Sequence, residues 1–161
     1  RLHCVWKQLI TDTSTTYYDY DLFYSCKDSA GWTQPKNISN QSLGANACYS
    51  SLAVDSRNYV HVVWDMSTSW GMWDIFYSFY NDTAWSDPIP LSTSPYDDAF
   101  PALTVDKNNH LHVTWRQRTS NGPIYYCYFD GTSWTPPEVI ASITNSQSGG
   151  SCIIVDSINR P

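Results

Sequence analysis

Three histidines recur at one place in the chain. His3, His61 and His112 each stand three residues before a tryptophan, Trp6, Trp64 and Trp115. A ring of histidines could hold a metal, which needs ligand nitrogens within about 2 Å of one ion. One strand position repeated in successive units sets such side chains far apart, so a packing role is expected and no metal. Asp55, Asp106 and Asp156 recur in the same way, each after a valine and three residues before an asparagine. Calcium takes about six to eight oxygens, more than one such turn offers. An Asp that accepts backbone N–H groups two residues on, with Asn58 or Asn109 left-handed, describes a hairpin turn instead. The five cysteines form no CxxC pair, against a zinc knuckle, and no P-loop, Ser-His-Asp or metalloprotease spacing is present. The aromatics that fall outside the repeat are the best binding candidates. They are Tyr17, Tyr18 and Tyr20, then Trp70 and Trp73, and Tyr96 beside Asp97 and Asp98. Loop aromatics not needed for packing can stack on a sugar or seat a partner. The face that carries them is expected to contact a glycan or a neighbouring subunit, with no cofactor.

The elements that must position these residues form a threefold repeat. VDSRNYVHVVW (54–64) returns as VDKNNHLHVTW (105–115); its first half closes the chain as VDSINRP and its second half opens it as RLHCVW. An aromatic segment follows each time: DLFYSCKD, DIFYSFYN and PIYYCYFD. A turn closed by tryptophan comes next, with Trp32, Trp85 and Trp134, and then CYSSLAVD, AFPALTVD or SCIIVD. Fixed-period similarity of this kind marks a repeat architecture. Each unit reads as four short strands rich in Val, Ile, Tyr, Phe and Trp, bounded by turn residues. No window sustains a helical apolar period. Strands such as HVVW are apolar on both faces and must be covered on both sides. The expected fold is an all-β propeller of four-stranded blades, with repeats at about 2–59, 60–110 and 111–161. The extra residues of the first unit fall in TDTSTTYYDY, which predicts a loop there. The recurrent tryptophans are expected to pack blade on blade.

Only 15% of the 161 residues are charged and 16% are aromatic, which argues against a disordered chain. A net charge of -6 argues against nucleic acid, and no apolar run reaches the length of a membrane span. The sequence starts at Arg1 and reads as a mature or trimmed product of an exported, extracellular protein. Three glycosylation sequons, at Asn37, Asn40 and Asn81, agree with that.

The order of these segments resembles the sialidase-like, Asp-box (BNR-type) β-propeller repeat. The resemblance covers nearly the whole chain. Ser25, Asp28, Gly31 and Trp32 approximate an Asp-box; Asp130, Gly131 and Trp134 keep its Asp, Gly and Trp; Asn81-Asp82-Thr83-Ala84-Trp85 keeps Asp and Trp but lacks Gly. In that family the Asp-box is a folding element that faces away from the active site, so it implies architecture and not catalysis. A sialidase-like enzyme would need an arginine cluster, a Tyr–Glu pair and an acidic proton donor. The single glutamate, Glu138, lies on an expected outermost strand, and the five arginines form no triad at corresponding positions. A non-enzymatic extracellular module for self-assembly or glycan recognition is therefore expected, with a fragment of a sialidase-like hydrolase as the alternative.

Three blades fall short of the usual four to eight. The sequence is then either part of a longer propeller or one that pairs with itself, SCIIVD of one copy beside LHCVW of the next. Cys4 and Cys152 would fall on adjacent strands of that composite blade, where a bond could staple the seam.

Overall fold

A computed structural model describes residues 1–10, 19–39, 46–67, 71–142 and 149–156. Among them are twelve strands in three antiparallel sheets, and no helix. The first sheet holds β1 (Leu2–Ile10), β2 (Asp19–Asp28), β3 (Gly31–Trp32) and β4 (Lys36–Asn37). The second holds β5 (Asn46–Val54), β6 (Val60–Ser67), β7 (Trp73–Tyr80) and β8 (Ile89–Pro90); the third holds β9 (Asp98–Val105), β10 (Leu111–Gln117), β11 (Ile124–Phe129) and β12 (Glu138–Ala141). The expected all-β class and the four-stranded sheets hold; the first sheet departs from the chain order, with β3 and β4 both paired to β2. In the second and third sheets the order runs β5-β6-β7-β8 and β9-β10-β11-β12.

The second strand of each unit sets the core. Every position of β6 and β10 is buried, because each strand has a partner on both edges and a neighbouring element on both faces, and the burial takes in polar residues such as Asp65 and Arg116 as well as the apolar ones. One apolar cluster joins Leu22 and Tyr24 of the first sheet to Val62, Trp64 and Met66 of the second. Another joins Val63, Ile75 and Tyr77 of the second to Leu103, Val113 and Trp115 of the third. Four of the recurrent tryptophans pack between sheets as expected: Trp64 and Trp115 are buried, Trp85 meets Tyr24 edge-on at 5.0 Å and Trp134 meets Tyr77 edge-on at 5.0 Å; Trp32 departs from the expectation and is 54% exposed.

The valine–aspartate turns follow the sequence reading. Asp55 Oδ1 accepts from Arg57 N at 2.9 Å and Tyr59 N at 2.8 Å; Asp106 Oδ1 accepts from Asn108 N and His110 N, both at 2.8 Å. Asn58 and Asn109 take φ of 65° in each turn, a left-handed conformation that asparagine tolerates. The three histidines join strand to strand. His3, His61 and His112 each place Nδ1 within 2.7–2.8 Å of a tyrosine hydroxyl on the next strand, of Tyr24, Tyr77 and Tyr126.

Two expectations need correcting. The sequence predicts a strand at 151–156, but these residues have no ladder partner. They are extended, with Ser151, Ile153 and Val155 half-buried and Cys152, Ile154 and Asp156 exposed. Within the single chain Cys4 and Cys152 are both exposed free thiols. The Asp-box reading of the second unit also shifts by one residue. Asn81 Oδ1, not Asp82, accepts the turn amides of Thr83 and Ala84, as Asp130 Oδ1 accepts those of Thr132 and Ser133. Asp82 takes the left-handed place of Gly131, with φ of 71° against 94°.

Candidate functional site

The loops that lead into the third strand of a unit and those that lead into the first strand of the next unit share one end of the sheets. Tyr20 N donates to Asn46 Oδ1 at 3.2 Å, and Trp73 N donates to Asp97 Oδ1 at 3.2 Å. These two contacts are the same contact in successive units. Tyr20 lies under Lys7 Nζ, 4.8 Å from its ring centre, and Trp73 lies under the Arg118 guanidinium at 5.7 Å. Tyr17, Tyr18, Trp70 and Asn40 lie outside the described residues. Asn37 is half-buried and its Nδ2 donates to Asp21 Oδ2 at 2.6 Å, a poor glycan acceptor; Asn81 is exposed.

Among the predicted contact residues described, Tyr96 opens onto a cavity. It stands 55% exposed on the rim of a groove on the third sheet. The groove has two lobes that share Gln117 and Tyr125 as a common wall. The inner lobe, about 270 Å³, is floored by Asp98, Trp115 and Gln117 and edged by Ser92 and Ser94. The outer lobe, about 490 Å³, runs past Thr119, Ser120 and Asn121 to Tyr96.

The floor is polar where the second unit is apolar, although the first unit also carries an amide, Gln8, at the place of Gln117. In the second unit Ala47 pairs with Met66 across β5 and β6, and Trp64 pairs with Phe76 across β6 and β7. All four belong to or pack on an apolar cluster. In the third unit the same cross-strand pairs are Asp98 with Gln117 and Trp115 with Tyr125. Three apolar positions have thus become a carboxylate, a carboxamide and a phenol, and all three line one groove. Trp115 and Tyr125 stack at 5.6 Å with 16° between planes, an aromatic wall beside the polar floor.

Asp98 is 1% exposed. Burial raises its pKa above the ordinary carboxylate value, while the hydroxyls of Ser92 and Ser94, the Gln117 amide and the Trp115 indole draw it down. Gln117 Nε2 donates to Ser94 Oγ at 3.1 Å and Asp98 Oδ1 at 3.3 Å, which fixes the amide in the floor. Ser94 Oγ in turn donates to Tyr96 O at 2.7 Å and so couples floor to rim. Asp74 lies close by, its pKa pushed up to about 6 by burial and then by the charges of Asp98 and Asp97. No lysine or arginine lines either lobe among the described residues.

The residues a hydrolase would use go elsewhere. Glu138 lies on β12, where every position is exposed. Arg57 is tied to Asp55 at 2.7 Å, Arg1 to Asp82 at 2.7 Å, and Arg118 sits over Trp73 and Phe100. Sequence reasoning named Asp98 only as a neighbour of Tyr96 and missed Gln117 and Tyr125. The signal was available as polar differences between the second and third units inside strands, not in loops.

No protein-family model matches the chain, and no curated protein matches it. Among solved structures, a fucose lectin from Kordia zhangzhouensis in complex with methyl-fucoside is 17% identical, with 83% of this chain and 87% of that chain covered and a TM-score of 0.47.

Proposed function

We propose that the chain is a non-enzymatic saccharide-binding module built of sialidase-like propeller blades and working outside the cell. The observation that carries the binding reading is the replacement of Ala47, Met66 and Phe76 by Asp98, Gln117 and Tyr125 at one groove. A buried carboxylate needs partners, and an unrepaid one costs stability. A sugar offers this floor hydroxyls that can exchange with those now bonded to Asp98 and Gln117, and C–H faces for the aromatic wall. The inner lobe lies just below the usual range of ligand pockets, about 300–1,000 Å³, and suits a single ring. The outer lobe extends it towards a second ring or an aglycone. A carboxylate floor with no cationic wall favours a neutral sugar over a carboxylated one such as sialic acid. That selectivity also separates the module from the sialidase-like hydrolase alternative, whose substrate is anionic.

A glycan array followed by calorimetry tests this. Binding of a neutral glycan that Asp98→Ala weakens at least tenfold is the expected result. Wild-type binding by Asp98→Ala, or no binding to any neutral glycan, refutes it. Turnover of a fluorogenic sialoside would move the chain to the hydrolase reading.

A further inference from the structure

The contact that joins one sheet to the next is made twice within the chain, and each end sheet carries one unused half of it. In the first contact Trp85 of the second sheet packs edge-on against Tyr24 of the first, at 5.0 Å and 72°. In the second Trp134 of the third sheet packs edge-on against Tyr77 of the second, at 5.0 Å and 71°. The third member of the tryptophan series, Trp32 of the first sheet, is 54% exposed. The third member of the tyrosine series is Tyr126 of the third sheet. It is held by His112 as Tyr24 is by His3, and it lines an apolar cavity of about 340 Å³.

The inner strands repeat the same asymmetry. β5 and β9 pair with the second strand of their own sheets. In the first sheet β3 and β4 both lie along the far edge of β2, and β1 pairs with β2 alone among the described residues. That sheet has no inner strand among the described residues. Residues 149–156 are an inner strand without a sheet. They sit on the third sheet as β9 sits on the second: Tyr49 and Phe100 meet at 4.5 Å, and a Cβ on Gly150 would lie 2.9 Å from that of Phe100. Ser151 Oγ meets Thr114 Oγ1 at 2.8 Å.

We propose that a second copy of this chain completes both halves. Residues 151–155 of one copy enter the first sheet of the other beside β1, and Trp32 of that copy packs on Tyr126. The occupant is a second copy because the bare tryptophan, the bare strand edge and the sheetless strand match in kind the contacts the chain already makes with itself. The contact is heterologous, so copies close into a ring or extend into a fibre. Transferring the β9–β10 register, in which Val113 opposes Leu103 and Thr114 opposes Ala102, sets Cys4 opposite Ile153 and Val5 opposite Cys152. Neighbours along a strand point to opposite faces, so Cys4 and Cys152 face apart. The seam therefore forms without a Cys4–Cys152 bond, against the sequence expectation.

Sedimentation of the 161-residue chain gives the first test, with a mass of two or more copies of 18.4 kDa expected. A monomer at high micromolar concentration overturns the proposal. Trp32→Ala removes an exposed side chain, so its circular dichroism should match wild type while its mass falls to one copy; unchanged assembly overturns the proposal. Register is read by Cys152→Ser/Ile153→Cys with glutathione disulfide. The Cys4 thiol and the thiol introduced at position 153 lose two protons and two electrons, which reduce the oxidant to two glutathione thiols, and an inter-chain bond forms. Peptide mapping should find Cys4 bonded to position 153, and no bond from Cys4 to position 154 in Cys152→Ser/Ile154→Cys. A bond only in the second variant, or a Cys4–Cys152 bond in wild type, refutes the register. Saccharide binding is measured on each variant; it should persist in Trp32→Ala, which separates failure of this proposal from failure of the groove reading.

Discussion

Rebuilding the second unit's floor in the third unit should raise stability and remove binding together. The perturbation is Asp98→Ala with Gln117→Met, which restores the Ala47/Met66 pair. Both residues are already buried, Asp98 1% and Gln117 6% exposed, so the exchange changes chemistry more than shape. Relieving the buried carboxylate and gaining an apolar side chain in place of an amide should stabilise by about 2–4 kcal/mol. Ser92 and Ser94 lose a partner, which returns about 1–2 kcal/mol in a groove that water can enter. The net is a gain of about 1–2 kcal/mol, or about 2–8 °C in melting temperature for a chain of this size. Calorimetric melting and titration with the array's best neutral glycan read both quantities on one sample. Function held at a cost in stability is the signature of a binding site. A variant that melts at least 5 °C lower, or that keeps wild-type affinity, would refute the reasoning.

Tyr96→Ala should weaken the same glycan about five- to tenfold, some 1 kcal/mol of stacking, with melting unchanged because the ring is 55% exposed; unchanged affinity in titration would remove Tyr96 from the site. Asp74 has a folded pKa of about 6, raised above its ordinary value of 3.8, so its contribution is fully present below about pH 4 and lost as pH rises through 6. Asp74→Asn should therefore melt higher than wild type at pH 7.5 by about 2–5 °C, after discounting for screening, and match it near pH 4; a difference independent of pH counts against the shift. Asp65 is fully buried and accepts from Tyr49 N and Phe100 N, both at 2.9 Å, so Asp65→Ala orphans two amides and should cost about 2–4 kcal/mol by urea denaturation. A loss below about 0.5 kcal/mol would show that water replaces the carboxylate.

The strands, the valine–aspartate turns and the structural histidines were legible because each recurs three or nearly three times, and recurrence identifies a residue with a place in a sheet. Asp98 was not legible as a floor residue. Both β5 and β9 carry a bulge near their start, between Ala47 and Ser50 and opposite Thr114 and Arg116. A bulge breaks the period of two, so the alternation that reads inside from outside fails there. Asp98 follows Tyr96 and Asp97 and reads as a third loop residue, yet it begins a strand. The fate of 151–156 was half legible. SCIIVD has the inner-strand pattern and takes the inner-strand place, but a ladder needs a partner that sequence pattern cannot supply.

A repeat protein is its own control, and the control has to be read with care, because not every departure from the repeat marks a ligand. The position one residue after the recurrent tryptophan is Lys7, Asp65 and Arg116 in the three units, three charged side chains at a place buried in two of them. Asp65 is nevertheless structural: each of its oxygens is taken by a backbone amide, from Tyr49 and Phe100, and the carboxylate ties the bulge of β5 to that of β9. Phe100 holds a φ of 59° there, a strained conformation for a phenylalanine that such a bond helps to fix. Asp98 differs in what satisfies it. Its partners are hydroxyls and an amide that line a groove, groups that can turn to a ligand as readily as to one another. Backbone amides cannot turn. A buried charge satisfied by the main chain holds the fold together, whereas one satisfied only by side chains at the wall of a cavity holds a place open, and Asp98 is of the second kind.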